Sequence, residues 1–188
     1  KRFKLPEEFN HISIYRQIAD EDKTGYAQNA LYQLSAIFEN RMQYEKAAGF
    51  WERNIREFSD PHGSKKARLD QITGNWGRFD PAATQPAGSG ASVEYIFRNG
   101  KKVRFTAREI NISKLLADTK KYIESKPRTL EWNRINVQDI GYRLVTNKEE
   151  IYAGRQVAEW ELELEPREGH FNRVISVSTP LQKAGAYL

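Results

Sequence analysis

The chain of 188 residues has no cysteine, one methionine and three histidines. The missing thiols exclude disulfides, thiolate zinc sites and a cysteine nucleophile. They leave the compartment open, because many exported bacterial proteins also lack cysteine. His11, His62 and His170 are too far apart in sequence to make a local metal motif, and no HExxH or HxH spacing occurs. No apolar run is long enough to span a bilayer. No charge of one sign dominates: 30 basic residues stand against 25 acidic ones, a net charge of +5. The basic residues form only short clusters: Lys65, Lys66 and Arg68; Lys101, Lys102 and Arg104; Lys120 and Lys121. A nucleic-acid binder concentrates such charge on one face, so nucleic acid is not an expected partner. The glycines at 88–90 lack a following Gly-Lys-Ser/Thr and precede a strand pattern, so the phosphate-loop reading fails. No Gly-x-Ser-x-Gly elbow is present. These absences give a non-enzyme, with no catalytic residue, cofactor or metal assigned.

What the chain does have is an ordinary folded composition, with 39% hydrophobic and 29% charged residues. The length suits one good-sized domain or two small ones. The first residue is a lysine, and the expectation is a piece excised from a longer protein.

Residues 1–76 carry helical periodicity. Phe9, Ile12, Ile14 and Ile18 suggest a first helix opened by Pro6, with DEDKTG breaking it. Ala27, Ala30, Leu31, Leu34, Ile37, Phe38 and Met42 recur at spacings of three and four. A third helix from Tyr44 places Ala47, Ala48, Trp51, Ile55 and Phe58 on one face and ends before Asp60-Pro61. A fourth starts at Ser64 as N-cap and buries Leu69, Ile72 and Trp76. The short turn around Arg41 to Gln43 sets helices two and three antiparallel, with alanines at their interface.

The run ALYQLSAIFENRMQYEKAAGFWERNIREF resembles a tetratricopeptide repeat (TPR). Leu31, Leu34 and Phe38 match the large residues of its first helix, and Tyr44, Ala47 and Trp51 the start of its second. Ser35 stands where glycine is usual, and Asn54 where alanine is usual. The resemblance implies a protein-docking surface.

Residues 77–92, GRFDPAATQPAGSGAS, read as linker and first strand, with Pro81 and Pro86 as markers. From 93 to 188 the pattern is mostly strand. Val93, Tyr95 and Phe97 alternate with Glu94 and Arg98, then Asn99-Gly100 predicts a hairpin into Val103, Phe105 and Ala107. Residues 112–125 switch to helical spacing, with Asn111 as cap. Trp132 and Ile135 follow in a less regular stretch. Further strands are expected at Gly141–Val145, at Ile151–Tyr152, at Gly154–Glu165 with Phe171–Thr179 as its hairpin partner, and at Ala186–Leu188. Glu159, Glu161 and Glu163 alternate on one strand and read as a solvated face, paired with Arg173. The expected fold is α+β: an antiparallel helical hairpin repeat, TPR-like, followed by an antiparallel β-sandwich of six or seven strands with one inserted helix.

The closing run STPLQKAGAYL resembles the last strands of macroglobulin-like domains. Together with RLDQITGNWGRFDPAATQPAGSGASVEYIFRNGKKVRF and DIGYRLV, it makes the chain similar to the N-terminal region of bacterial alpha-2-macroglobulin-family proteins. The inserted helix departs from a plain macroglobulin-like domain. The resemblance implies an exported protein, periplasmic or at the cell surface, from a family that traps proteases. It also implies that the chain's partners are other proteins and neighbouring domains of the same longer chain. The family's thioester needs a cysteine, so this chain cannot contain it. The expected function is therefore a non-catalytic interaction and scaffold fragment.

Tyr32, Phe50, Trp76, Arg78 and Arg104 are the candidate docking or inter-domain residues, with Trp76 expected to pack between the two parts. The rival reading is a small-ligand or enzymatic cleft between helices and strands, using Arg78, Asp80, Arg104 and Arg143. A cytosolic TPR adaptor is a third.

Overall fold

The computed structural model describes residues 6–21, 25–80, 84–137, 140–148 and 150–188. Pro81 and most of the break between the first two helices lie outside the described residues. The protein is α+β. Its helices are α1 (His11–Glu21), α2 (Gly25–Asn40), α3 (Tyr44–Phe58), α4 (Ser64–Thr73), α5 (Ile112–Glu124), α6 (Trp132–Ile135) and α7 (Ile140–Thr146). Its strands are β1 (Trp76–Phe79), β2 (Ser92–Arg98), β3 (Lys102–Ile110), β4 (Ala153–Glu163) and β5 (Arg173–Ser178). Two compact units interleave along the sequence. One takes Lys1–Pro81, Glu94–Lys101 and Leu164–Ser176; the other takes Ala82–Val93, Lys102–Glu163 and Val177–Leu188.

The first unit is built on α1 to α4. Pro6 opens a short 3-10 turn over Glu7–Phe9, and α1 follows it with the Asn10 side chain accepting from Ser13 N at 3.3 Å. Between α2 and α3 the chain reverses at Met42, whose φ is 55°. There Gln43 N donates to Phe38 O at 2.9 Å and closes the helix end. Ala30, Leu31, Leu34 and Phe38 of α2 pack with Ala47, Ala48 and Trp51 of α3, all buried, and Ala27 is buried too. The alanines matter because they let the two backbones approach. Ser35 and Asn54 are fully buried in the same interface. A buried polar group is costly unless it is hydrogen-bonded. Ser35 Oγ donates to Leu31 O at 2.9 Å and Asn54 Nδ2 to Gln28 O at 2.9 Å, whereas the buried Asn54 Oδ1 has no hydrogen-bond partner among the described residues.

Helix α4 departs from the expected cap. Ser64 is its first residue, and Gly63 takes the cap position at φ 69°. The Asp60 carboxylate does the capping, accepting from Lys66 N at 2.7 Å. That backbone hydrogen bond is the main reason the Asp60 carboxyl sits below its ordinary range. A carboxyl depressed in the folded state adds stability above its unfolded value, near about 4, and loses it as pH falls through the folded value. The Lys66 amide resonance should therefore titrate with a midpoint below about 4. Asp60→Asn should abolish that titration, and persistence of the titration in the variant would remove Asp60 as the cap.

A three-stranded sheet has the order β1-β2-β5; β1 and most of β2 and β5 fall in the first unit. Trp76 lies opposite Arg98, and Phe79 opposite Tyr95. A Cβ at Gly77 would collide with the Tyr95 phenol unless that side chain moved. The predicted hairpin between β2 and β3 does not form: β3 pairs with β4 in a separate two-stranded sheet. A two-residue type I′ turn needs positive φ at both central residues. Asn99 has φ 59°, but Gly100 is not in that region. The Asn99 amide is instead engaged by the end of α4, donating to Ile72 O at 2.8 Å and Gly74 O at 2.9 Å.

In the second unit β3 and β4 run antiparallel, from Lys102 opposite Glu163 to Ala107 opposite Ala158, with a bulge beyond Ala107. Phe105 stacks on Trp160 at 5.3 Å. Helix α5 forms as predicted, with Asn111 Oδ1 accepting from Lys114 N at 3.0 Å. Ile110, Leu115, Leu144 and Tyr152 make the core.

Several strand expectations are corrected. Gly141–Val145 is helical, within α7, which turns Leu144 into that core. Ile151–Tyr152 belongs to a 3-10 turn, and Trp132 to Ile135 is a short helix. The partner of β4 is β3, whereas β5, within the expected Phe171–Thr179, joins β2. The chain end does pair: Ile110 N donates to Ala186 O at 2.8 Å, and Arg108 and Leu188 exchange bonds of 2.8 and 2.9 Å. Five strands and one isolated bridge are present among the described residues, against the six or seven expected.

Candidate functional site

The α2 helix turns Asn29, Tyr32 and Asn40 outward, with Ala36 half-buried between them. These positions recur every three or four residues and so share one face. Tyr32 is 51% exposed, and its ring stands edge-on to Trp51 at 5.2 Å. Trp51 is itself held: its Nε1–H donates to Glu39 Oε1 at 2.7 Å. The other Glu39 oxygen accepts from Arg68 Nη2 at 2.7 Å. One carboxylate thus ties α2, α3 and α4 together beneath the tyrosine. A supported phenol flanked by carboxamides offers both an apolar body and hydrogen-bonding groups, which suits contact with a polypeptide.

Phe50 sits differently. It is half-buried and stacked on Phe38 at 5.5 Å, with Lys46 Nζ 5.5 Å from the Phe38 ring. It serves the core more than the surface.

Trp76 and Arg78 belong to β1. Trp76 is half-buried, with the Arg98 guanidinium 5.4 Å from its ring centre. The same guanidinium lies 4.7 Å from the ring centre of Tyr44 of α3. Arg98 Nε also donates to Asn172 Oδ1 at 2.9 Å, and Nη1 to Gln71 O at 2.8 Å. Trp76 therefore packs into a joint between helices and sheet of the first unit. Asn99 joins it, its Oδ1 lying 2.9 Å from His170 Nδ1. Arg78 and Asp80 are exposed, and Asp80 N donates to Glu94 O at 2.9 Å.

Arg104 belongs to the second unit. Its Nη2 lies 2.8 Å from Glu161 Oε1, and its Nε is 3.5 Å from Glu159. Lys102 Nζ is 2.5 Å from Glu161 Oε2. Lys102 first, then Arg104, hold the Glu161 carboxyl below its ordinary range by hydrogen bonding. The glutamate ladder is thus matched by β3, and the expected partner Arg173 pairs with Glu165 at 3.2 Å instead. Arg143 is buried within the second unit, its guanidinium 5.6 Å from the Tyr152 ring centre.

Four of the five candidate docking residues fall in the first unit and Arg104 in the second. The residues missed from sequence are Glu39, Arg98 and Asn99, all of them joints whose partners are distant in sequence. Among the described residues no group of three or more His, Asp or Glu side chains is placed to hold a metal ion, and no helix is long and apolar enough to cross a membrane. No protein-family model matches the chain, and no curated protein and no solved structure matches it significantly.

Proposed function

We propose that this chain is a non-catalytic protein-interaction and scaffold module, in which a TPR-like helical stack presents a docking face and the strand-rich part serves as structural support. The observation that carries the reading is Tyr32, half exposed on α2 and braced from below by Trp51. Of the positions quoted for the repeat, Leu31, Leu34, Phe38, Ala47 and Trp51 are buried and Tyr44 is half-buried, which supports the TPR-like reading. The longer protein would be an exported alpha-2-macroglobulin-like one, which rests on the sequence resemblance alone. On that reading the strand-rich part is a macroglobulin-like β-sandwich module, and the partners are other proteins and neighbouring domains of the same chain.

The test is affinity capture with the whole chain and with Tyr32→Asp, partners being identified by mass spectrometry. Thermal unfolding should show that the variant still folds cooperatively, with a midpoint lowered only by the loss of one aromatic pair worth about 0.5–1.5 kcal/mol. A set of captured proteins lost selectively in the variant is the expected result. An unchanged set from a cooperatively folded variant would refute the docking role of α2. The family reading fails if the full-length protein carries no further β-modules.

A further inference from the structure

The second unit contains a pocket of about 460 Å³ between the far end of β3, the start of β4 and the segment 180–187. A β-bulge lies at this place. Ala107 stands opposite Ala158 but Arg108 opposite Gln156, so β4 has one residue more than β3 there. Bulges re-aim the side chains beside them. Gly154 permits the close approach of the two strands, because a Cβ on it would lie 2.7 Å from Glu109 O. The third wall is tied to the rest of the unit. Glu109 forms a bridge with Tyr187, and Ile110 N donates to Ala186 O at 2.8 Å. Tyr187 Oη donates to Lys183 O at 2.9 Å, and Gly88 N donates to Gln182 O at 3.0 Å. The pocket is therefore formed by the fold itself, as ligand sites usually are.

Its charges narrow the class of ligand. Glu109 and Arg155 from the strands and Lys183 from the third wall line it. On the neighbouring stretch of the same sheet opposite charges have closed on one another, as Lys102 and Arg104 have on Glu161. In the pocket, none of the three charged side chains has an ion-pair or hydrogen-bond partner among the described residues. Two cations and one carboxylate thus face one space without neutralising each other. A simple anion would leave Glu109 unanswered, and a simple cation would leave Arg155 and Lys183 so. The complement is a ligand that carries both a carboxylate and an ammonium. Val157, Leu181 and the Tyr187 ring supply apolar lining between the charges. The volume suits a ligand larger than one free amino acid.

We propose that this pocket binds a short zwitterionic peptide, its terminal carboxylate at Arg155 and Lys183, its terminal ammonium at Glu109, and an apolar side chain on Val157, Leu181 and Tyr187. A terminal carboxylate suits arginine because the planar guanidinium can bond both oxygens. The inference is independent of the α2 docking face: Tyr32 takes no part in it, and either site can fail alone.

The experiment is titration of the whole chain with leucyl-leucine and leucyl-alanyl-leucine, followed by amide NMR. Each peptide is also used N-acetylated and C-amidated. Shifts should centre on Glu109, Arg155 to Val157 and residues 180–187. Blocking either terminus should weaken binding about three- to fivefold, the scale for charge pairs that stay in contact with water. Glu109→Gln should remove the effect of acetylation and keep that of amidation. The Arg155→Gln/Lys183→Gln double variant should do the reverse, while Tyr32→Asp should change neither. All three charged residues are exposed, so folding should survive, and circular dichroism checks that it does. Absence of binding at millimolar peptide, shifts centred elsewhere, or equal binding of free and blocked peptides overturns the proposal. So does acetate binding as tightly as the peptides, which would make the pocket a plain anion site.

Discussion

Replacing Trp51 with alanine is expected to destabilise the first unit by about 3–5 kcal/mol, the range for truncating a buried large aromatic. The residue is 1% exposed and belongs to the cluster of Leu31, Leu34, Phe38, Ala47 and Ala48. Truncation leaves a cavity that α2 and α3 cannot close, because the alanines already bring their backbones near contact. It also removes the edge-on contact with Tyr32, worth about 0.5–1.5 kcal/mol for such pairs, and takes one donor from Glu39. A small domain has only about 5–15 kcal/mol in total, so the loss consumes a large share of it. The measurement is urea unfolding, read at α2 and α3 amides by hydrogen exchange, with a fall in midpoint at constant slope. Trp51→Phe separates the parts. It keeps much of the ring volume, loses the indole donor and should cost about 1–3 kcal/mol. A cost below about 1 kcal/mol for Trp51→Ala would mean that α3 is not packed on α2 as described.

The helices were legible because periodicity is a local signal. Trp51, Leu31 and Ala47 announce one face by spacing, and the break at Met42 is short. The strands were less so. The five residues from Gly141 to Val145 are too few to separate a period of two from one of 3.6. Leu144 then joins Leu115 and Tyr152 because α7 lies on that core. The alternation in β3 and β4 was read correctly, yet alternation says which face is buried and not which strand is the neighbour. Lys102 and Arg104 facing Glu161 supply that choice, across 50-odd residues. Asn99-Gly100 failed as a hairpin signal because its amide serves α4, a demand that no local pattern reveals. Of the candidate site, Tyr32 was visible as a large residue off the buried face. Its support, running through Glu39 to Arg68, was not, since glutamate is mostly a surface residue.

Arg98→Ala should cost the first unit about 3 kcal/mol, an effect that strand alternation, which placed Arg98 among the outward residues, would put near zero. Arg98 is only 9% exposed. Its partners are neutral: the Tyr44 and Trp76 rings, the Asn172 side-chain amide and the Gln71 carbonyl. A desolvated cation over an aromatic face is worth about 1–2 kcal/mol, and a hydrogen bond from a charged donor about 1.5–3 kcal/mol. The sum is discounted because Gln71 and Asn172 are exposed and can rebond to water. Removing the guanidinium releases Tyr44 of α3 from Trp76 of β1, so the loss should appear as faster amide exchange in β1 and β2. Arg98→Lys is the informative control. An ammonium is a point charge and cannot contact two rings while also reaching two acceptors. It should therefore recover less than half of the loss, although it keeps the charge. Full recovery by lysine would show that charge alone matters at this position, and that the planar fork beside Tyr44 and Trp76 does not hold the sheet to the helices.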